Sequence, residues 1–166
     1  MSKTITPNKL YKLNVAAGIL HLAQAVIVLI VSKNFTVPVS GSYLSFDQGT
    51  QSLVPSSTSL FSLSLPTLIA VFFLLSAFFH FVIATVYRKK YNSDLLLGIN
   101  KARWFEYSLS ASIMMVAIAT LVGVYDFSSL LMIFALTSVM NLMGLEMEVH
   151  NQTTKKTNWL SNNIGS

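Results

Sequence analysis

Residues 100–110, NKARWFEYSLS, open a long apolar segment that continues to Val124. Glu106 is the one acidic residue well inside an apolar segment, since Glu146 lies only at the end of one. A carboxylate at the centre of a membrane-spanning helix costs about 2.5–3.5 kcal/mol on insertion scales, so it usually faces a bundle interior and finds a partner there. The stretch therefore predicts a membrane helix whose Glu106 faces other helices.

Composition indicates an integral membrane protein. Hydrophobic residues make up 53% of the chain and charged residues 10%, whereas ordinary soluble domains are about 25% charged. The chain has no cysteine, which excludes disulfides, thiolate catalysis and cysteine-ligated metals. The three histidines show no metal-binding spacing. The basic residues fall between apolar segments and not along one face, so we predict neither an enzyme nor a nucleic-acid-binding protein.

The fold class predicted is all-α, with four transmembrane helices and a short β-hairpin in the first extracellular loop. The hairpin is predicted over residues 35–46, around a turn at Ser40-Gly41-Ser42. Ser93-Asp94 is predicted to cap the third helix. The predicted spans are residues 14–32, 65–87, 94–124 and 129–147, separated by loops at 33–64, 88–93 and 125–128 and flanked by segments 1–13 and 148–166.

Loop charges predict the orientation in the membrane. Ten of the eleven basic residues lie in the N-terminal segment, in the second loop with the start of the third helix, or in the C-terminal tail. Because cytoplasmic loops are enriched in lysine and arginine, both termini are predicted to be cytoplasmic and the protein to be in the cell membrane.

Polar residues recur on one face of each predicted span. His21 lies nine residues after Lys12, and His80 eight residues before Arg88, so they lie about 13 Å and about 12 Å into the membrane at 1.5 Å per residue. The two histidines are therefore predicted to meet at one depth, within reach of Glu106. The polar face comprises Asn14, His21 and Gln24; Ser76 and His80; Arg103, Glu106 and Ser110, with Tyr107 and Met114 beside them; and Thr137 and Asn141.

Two interpretations of this polar face stay open. A carboxylate with two histidines is typical of proton handling or of a counter-ion. Single polar residues in spans more often form helix–helix hydrogen bonds, worth about 0.6–2 kcal/mol. The second interpretation is favoured for Ser76, Thr137 and Asn141, and the first for Glu106. Phe72, Phe73, Phe78 and Phe79 are interpreted as lipid-facing or packing residues.

Four sequence blocks carry a resemblance to a known family. They are AGILHL at 17–22, PVSGSYL at 38–44, LSAFFHF at 75–81 and RWFEYSLS at 103–110. Together they resemble the N-terminal, four-helix part of heliorhodopsins, retinal-binding seven-helix proteins inverted in the membrane relative to other microbial rhodopsins. The resemblance implies a light-sensing photoreceptor and not a classical ion pump.

The same resemblance implies roles for the polar residues. Glu106 matches the counter-ion of the protonated retinal Schiff base, and His21 and His80 match a histidine pair in the adjoining polar pocket. Ser76 and Arg103 surround that pocket, and we include Tyr107 and Met114 among the candidate retinal-binding residues. The family's first loop is extracellular, forms a small β element and takes part in a homodimer.

One departure from the family is large. The family attaches retinal to a lysine of its seventh helix, whereas every lysine here lies outside the apolar spans or at the edge of one. We therefore expect a truncated, partial or split protein that needs helices five to seven and does not attach retinal covalently by itself. The alternative hypothesis is a self-sufficient four-helix partner subunit or proton-conducting assembly that uses Glu106, His21 and His80. No signalling partner is indicated.

Overall fold

The computed structural model describes residues 6–152 and 159–160. Four of its helices are long and apolar enough to cross a membrane, and they pack in series, α1 on α2, α2 on α4 and α4 on α5. The predicted fold class is confirmed. In chain order the elements are α1 (Pro7–Val31), β1 (Thr36–Asp47), β2 (Ser52–Ser64), α2 (Leu65–Ala84), α3 (Arg88–Leu96), α4 (Lys101–Leu121) and α5 (Phe127–Asn151).

The first helix begins well before the predicted boundary at residue 14. Thr6 caps it, its hydroxyl accepting a hydrogen bond from the Lys9 amide, and Pro7 occupies the first turn. Proline fits there because its missing N–H would have no partner within the helix in any case. The polar residues before residue 14 therefore belong to the same helix as the apolar span.

The third predicted span, 94–124, is wrong at its start. Residues Arg88–Leu96 form the separate helix α3, and α4 begins only at Lys101, capped by Asn100, whose side chain accepts from the Arg103 amide at 3.2 Å. Gly98 separates the two helices with a φ of +74°, a left-handed conformation that glycine adopts without steric cost. Asp94 is therefore not a cap but a buried residue within α3.

Two further boundaries differ from the prediction. The second span, predicted over 65–87, ends as a helix at Ala84, where the Thr85 hydroxyl donates to the Phe81 carbonyl at 2.7 Å. The fourth, predicted over 129–147, continues to Asn151. Glu148, assigned to a polar tail by its sequence context, is therefore helical.

The β-hairpin is present, but its turn is not at Ser40-Gly41-Ser42. Those residues lie within β1, which pairs antiparallel with β2 from Thr36–Ser64 to Asp47–Ser52. The turn is at residues 48–51, where the Asp47 carboxylate accepts a hydrogen bond from the Gly49 amide at 2.7 Å. An irregularity between Val39 and Ser40 shifts the register.

The first half of the hairpin docks on the junction between α4 and α5. Val39 is fully buried and clusters with Ala119 of α4 and Leu130 of α5. The Ser40 amide donates to the Tyr125 carbonyl at 2.9 Å, and the Ser42 hydroxyl donates to Asp126 at 2.9 Å. Apolar burial and two hydrogen bonds thus fix this loop to the bundle.

Asp126 links this contact to the start of α5, and its loss is expected to loosen the hairpin. Its carboxylate accepts from the amide of Ser129 and from the hydroxyls of Ser42 and Ser129, which lowers the pKa of Asp126 below its ordinary value. Asp126→Ala is therefore expected to speed exchange of the Ser40 amide at pH 7, read by hydrogen exchange and mass spectrometry. Because a lowered pKa stabilises the fold only while the group is ionised, the difference in stability from the unchanged chain is expected to be full above about pH 3.9, the ordinary aspartate pKa, and to vanish as pH falls further through the lowered pKa.

The matched control is Asp47→Ala, which removes a carboxylate from the far end of the same hairpin. It should leave exchange at Ser40 unchanged, because Asp47 bonds only within the turn among the contacts of the described residues. Equal exchange at Ser40 in both variants would contradict the role assigned to Asp126.

Candidate functional site

A cavity of about 480 Å³ lies among α1, α2 and α4. All the site residues predicted from the sequence line it except Met114, which lies further along α4. The cavity therefore gathers the polar face of three separate spans. Its lining includes Asn14, His21, Phe72, Ser76, His80, Tyr91, Asn100, Arg103, Glu106, Tyr107 and Ser110.

Glu106 is the buried acid of this cavity. Its residue surface is only 6% exposed, and the small polar residues Ser76 and Ser110 beside it are 3% and 2% exposed. Neither of the two ion pairs within the described part of the chain involves Glu106. Burying a charge without an ion-pair partner is costly, and Arg103, the one arginine that lines this cavity, pairs with Glu148.

The two histidines meet, as their depths predict. The His21 and His80 rings stack with centroids 5.5 Å apart and planes at 13°. His80 Nδ1 lies 2.9 Å from the Asn14 side-chain oxygen, and His21 Nδ1 lies 3.0 Å from the Gln24 side-chain oxygen. Amide oxygens only accept hydrogen bonds, so both Nδ1 atoms donate in these contacts.

Arg103 lines the cavity but does not pair with Glu106. Its guanidinium donates to Glu148 at 2.6 Å, and the same carboxylate accepts from the Asn100 amide at 2.7 Å. This arrangement ties the start of α4 to the end of α5. Glu148 was not identified from the sequence as a partner of Arg103. The available signal was that the helix of the fourth span could continue for one more turn beyond residue 147, which makes Glu148 helical.

Trp104 faces α5 and not the cavity. The Arg103 guanidinium lies over its ring at 4.4 Å from the centroid, and the ring contacts the backbone at Gly144 so closely that a side chain there would overlap it. Trp104 is therefore a packing residue at the α4–α5 interface. A small residue at this contact lets the two helices approach closely.

Two phenylalanines belong to the site instead of facing lipid. Phe72 lines the cavity, and the Phe73 ring stacks on His21 at 6.0 Å. The interpretation of both as only lipid-facing or packing residues was incomplete, because hydrophobicity does not distinguish a cavity wall from a lipid-facing surface. The cavity thus combines one acid, two histidines and aromatic walls.

Comparison with known families places the chain. A sequence model of heliorhodopsins matches residues 10–166. The chain belongs to the heliorhodopsin family. The resemblance drawn from the four sequence blocks is thereby confirmed, and with it a rhodopsin-like, light-sensing membrane protein at the level of the family. No curated protein sequence matches the chain.

Full-length heliorhodopsins contain retinal, and the cavity fits part of what that cofactor requires. The buried Glu106 carboxylate suits a cationic attachment point, and Phe72 and Tyr107 provide aromatic surface for a polyene. No lysine lines the cavity among the described residues. Lys101 lies at the start of α4 and lines a different groove. The residues present therefore fit retinal as surroundings but provide no point of attachment.

Proposed function

We propose that this heliorhodopsin acts in light sensing and that its four spans supply the counter-ion side of a retinal site. The observation that carries the proposal is Glu106, a buried carboxylate that forms no ion pair among the described residues, in a cavity with two histidines. Retinal joined to a lysine supplies a buried positive charge and changes shape on absorbing light. The lysine would come from a segment outside these four spans.

The residues of the cavity have different electrostatic roles in this proposal. Glu106 offsets the buried positive charge, and Ser76 provides a hydroxyl that hydrogen-bonds to the carboxylate. The Nε2 atoms of His21 and His80 can accept a proton released nearby when the rings are neutral, since the Nδ1 atoms donate to Gln24 and Asn14 respectively. Charge movement within this pocket would then be local, which agrees with a sensor and not a classical ion pump or an enzyme.

Orientation and assembly follow as part of the same proposal. The N-terminus is cytoplasmic by the distribution of basic residues, so the hairpin lies outside the cell. Apolar residues of its distal half are exposed, for example Leu44 at 62% and Leu53 at 61%. Exposed apolar area of this kind marks an interaction surface and supports the expected homodimer.

The test is an absorption spectrum after all-trans retinal is added to the purified chain, with and without a fragment carrying helices five to seven of a heliorhodopsin. A visible band is expected only with the second fragment. Glu106→Gln is expected to replace that band with a near-ultraviolet one, because the buried positive charge then lacks its anion. Glu146→Gln is the control, since Glu146 is exposed on α5. A visible band unchanged by Glu106→Gln would refute the counter-ion assignment.

The stacked histidines favour one alternative, a four-helix proton-conducting assembly. They stack within the cavity that Glu106 lines, and His80 contacts Asn14, which lines the same cavity. If no visible band forms, this alternative predicts a proton leak in liposomes containing the chain, and His80→Asn should abolish it. Absence of both the band and the leak would leave neither function standing.

A further inference from the structure

A second cavity, of about 380 Å³, lies between α2 and α4 on another face from the Glu106 site. On α4 its wall is formed by Phe105 and Leu109, whereas Glu106 and Ser110 line the first cavity. On α2 its wall includes Phe79 and Val82. The two cavities therefore open on different sides of α4, and this one forms an apolar groove between two membrane helices.

The groove is accessible and long enough for part of an acyl chain. Phe105 is 50% exposed and Leu109 is 41% exposed. Lys101 and Leu109 both line it, and eight residues of helix span about 12 Å at 1.5 Å per residue. In a membrane, lipid chains surround such a surface, so the question is whether one kind of lipid is held there.

One end of the groove carries a cation. Lys101 and Tyr87 line it there, at the end of the bundle that contains α3 and the start of α4, called here the basic end. The Tyr87 hydroxyl donates to Asp94 at 2.9 Å, and Lys90 pairs with the other Asp94 oxygen at 3.0 Å. Burial opposes ionisation of Asp94, but the hydrogen bonds from Lys90 and Tyr87 and the charge of Lys101 outweigh it and lower its pKa.

The charges around Asp94 leave a positive surplus. Lys90 already offsets the single carboxylate, so Lys101 remains to attract an anion from the membrane surface. Lys89 adds a further exposed charge on α3, whereas Arg88 is turned toward α1, where it donates to Asn8 at 3.1 Å and lies over the Tyr11 ring. The groove thus has an apolar wall along its length and net positive charge at its mouth.

We propose that this groove binds one anionic phospholipid of the leaflet at the basic end, with the phosphate at Lys101 and an acyl chain between Phe79, Val82, Phe105 and Leu109. The combination selects a lipid over a free anion, because the apolar wall contributes only if a chain fills it. It selects an anionic lipid over a zwitterionic one because the mouth carries excess cations. The groove and the Glu106 cavity have different residues of α4 in their walls, although Ile83 of α2 lines both.

Native mass spectrometry of the chain in mixed micelles tests the proposal. The probe is dioleoyl-phosphatidylglycerol titrated against dioleoyl-phosphatidylcholine, and one phosphatidylglycerol is expected to remain bound. Lys101→Gln is expected to weaken its apparent affinity about fivefold, the effect of one lysine near an anionic surface. Lys12→Gln is the matched control, an exposed lysine on α1 at the same end of the bundle. Equal losses in both variants would mean diffuse attraction and overturn the site.

A second measurement locates the acyl chain without depending on affinity. Leu109→Trp places a fluorophore in the groove, and Leu131→Trp places one on exposed α5, each read as the difference from the unchanged chain. Phosphatidylglycerol brominated on its acyl chains should quench the first more than brominated phosphatidylcholine does, and should not discriminate at the second. Glycerophosphoglycerol, which has no acyl chains, should not reverse this quenching. Equal quenching by both lipids at Leu109→Trp, or full competition by the chainless headgroup, would overturn the proposal.

Discussion

Gly144→Ala is expected to lower the free energy of unfolding by about 1–3 kcal/mol, the usual cost of overpacking a close contact. A Cβ atom at Gly144 would overlap the six-membered ring of Trp104. The ring cannot easily turn away, since the Arg103 guanidinium also lies over it, 4.4 Å from its centroid. Relief therefore requires α4 and α5 to separate, and the readout is the midpoint of denaturation in detergent.

Two other glycines provide graded controls for this prediction. A Cβ at Gly18 would approach the edge of the Phe81 ring at 3.0–3.2 Å, a contact that a small ring movement relieves. A Cβ at Gly49, in the hairpin turn, would meet only a carboxylate oxygen of Asp47 at 3.3 Å. The expected order of destabilisation is Gly144→Ala, then Gly18→Ala, then Gly49→Ala. A midpoint for Gly144→Ala as high as that for Gly49→Ala would show that the α4–α5 contact is not tight.

Glu148→Ala is expected to destabilise the bundle by about 2 kcal/mol. Breaking a fully buried ion pair costs about 3–5 kcal/mol. The Arg103 side chain is 41% exposed here and that of Glu148 is 15% exposed, so solvent screening weakens this pair. The substitution also removes the acceptor of the Asn100 amide at the start of α4. Both losses fall on the junction between α4 and α5, and denaturation in detergent measures them.

The control is Glu146→Ala, which removes an exposed acid two positions earlier on the same helix. Its effect should be within about 0.5 kcal/mol, as for surface substitutions in general. A double-mutant cycle with Arg103→Gln then isolates the pair. The sum of the two single losses of stability should exceed the loss in the double variant, because removing either partner already breaks the contact. Strict additivity would mean that Arg103 and Glu148 act separately.

Much of the site could be predicted because polar residues are rare within membrane spans and are therefore conspicuous in the sequence. Each span is predominantly apolar, so His21, His80 and Glu106 stand out within it, and the fixed rise of a helix gives their depth. Those two facts bring together the acid and the two histidines of the cavity. The helical spacing of Arg103 and Glu106 likewise placed both on the cavity wall, although it could not say which acid Arg103 would pair with.

The errors have a different cause: residues whose composition favours a turn or a cap make other contacts instead. Ser40-Gly41-Ser42 has turn composition, but Asp47 and Gly49 form the turn, and docking on Tyr125 and Asp126 keeps the earlier residues extended. Ser93-Asp94 has cap composition, but Asp94 is used instead by Tyr87 and Lys90. The partners that keep residues 40–42 extended lie more than 80 residues along the chain, outside any local window. The partners of Asp94 lie only four and seven residues before it, but sequence composition does not show that they prevail over capping.

The docked hairpin also constrains the order in which the chain is assembled. Ser42 and Asp126 are 84 residues apart, and α2, α3 and α4 lie between them in the chain. Contacts between distant residues form late, because chain entropy must be lost before they contribute. We therefore expect the first loop to pair as a hairpin during synthesis before it docks on the turn after α4. Its docking joins the first loop to the junction between α4 and α5, so an undocked hairpin is expected in a chain in which these two helices are not yet in place.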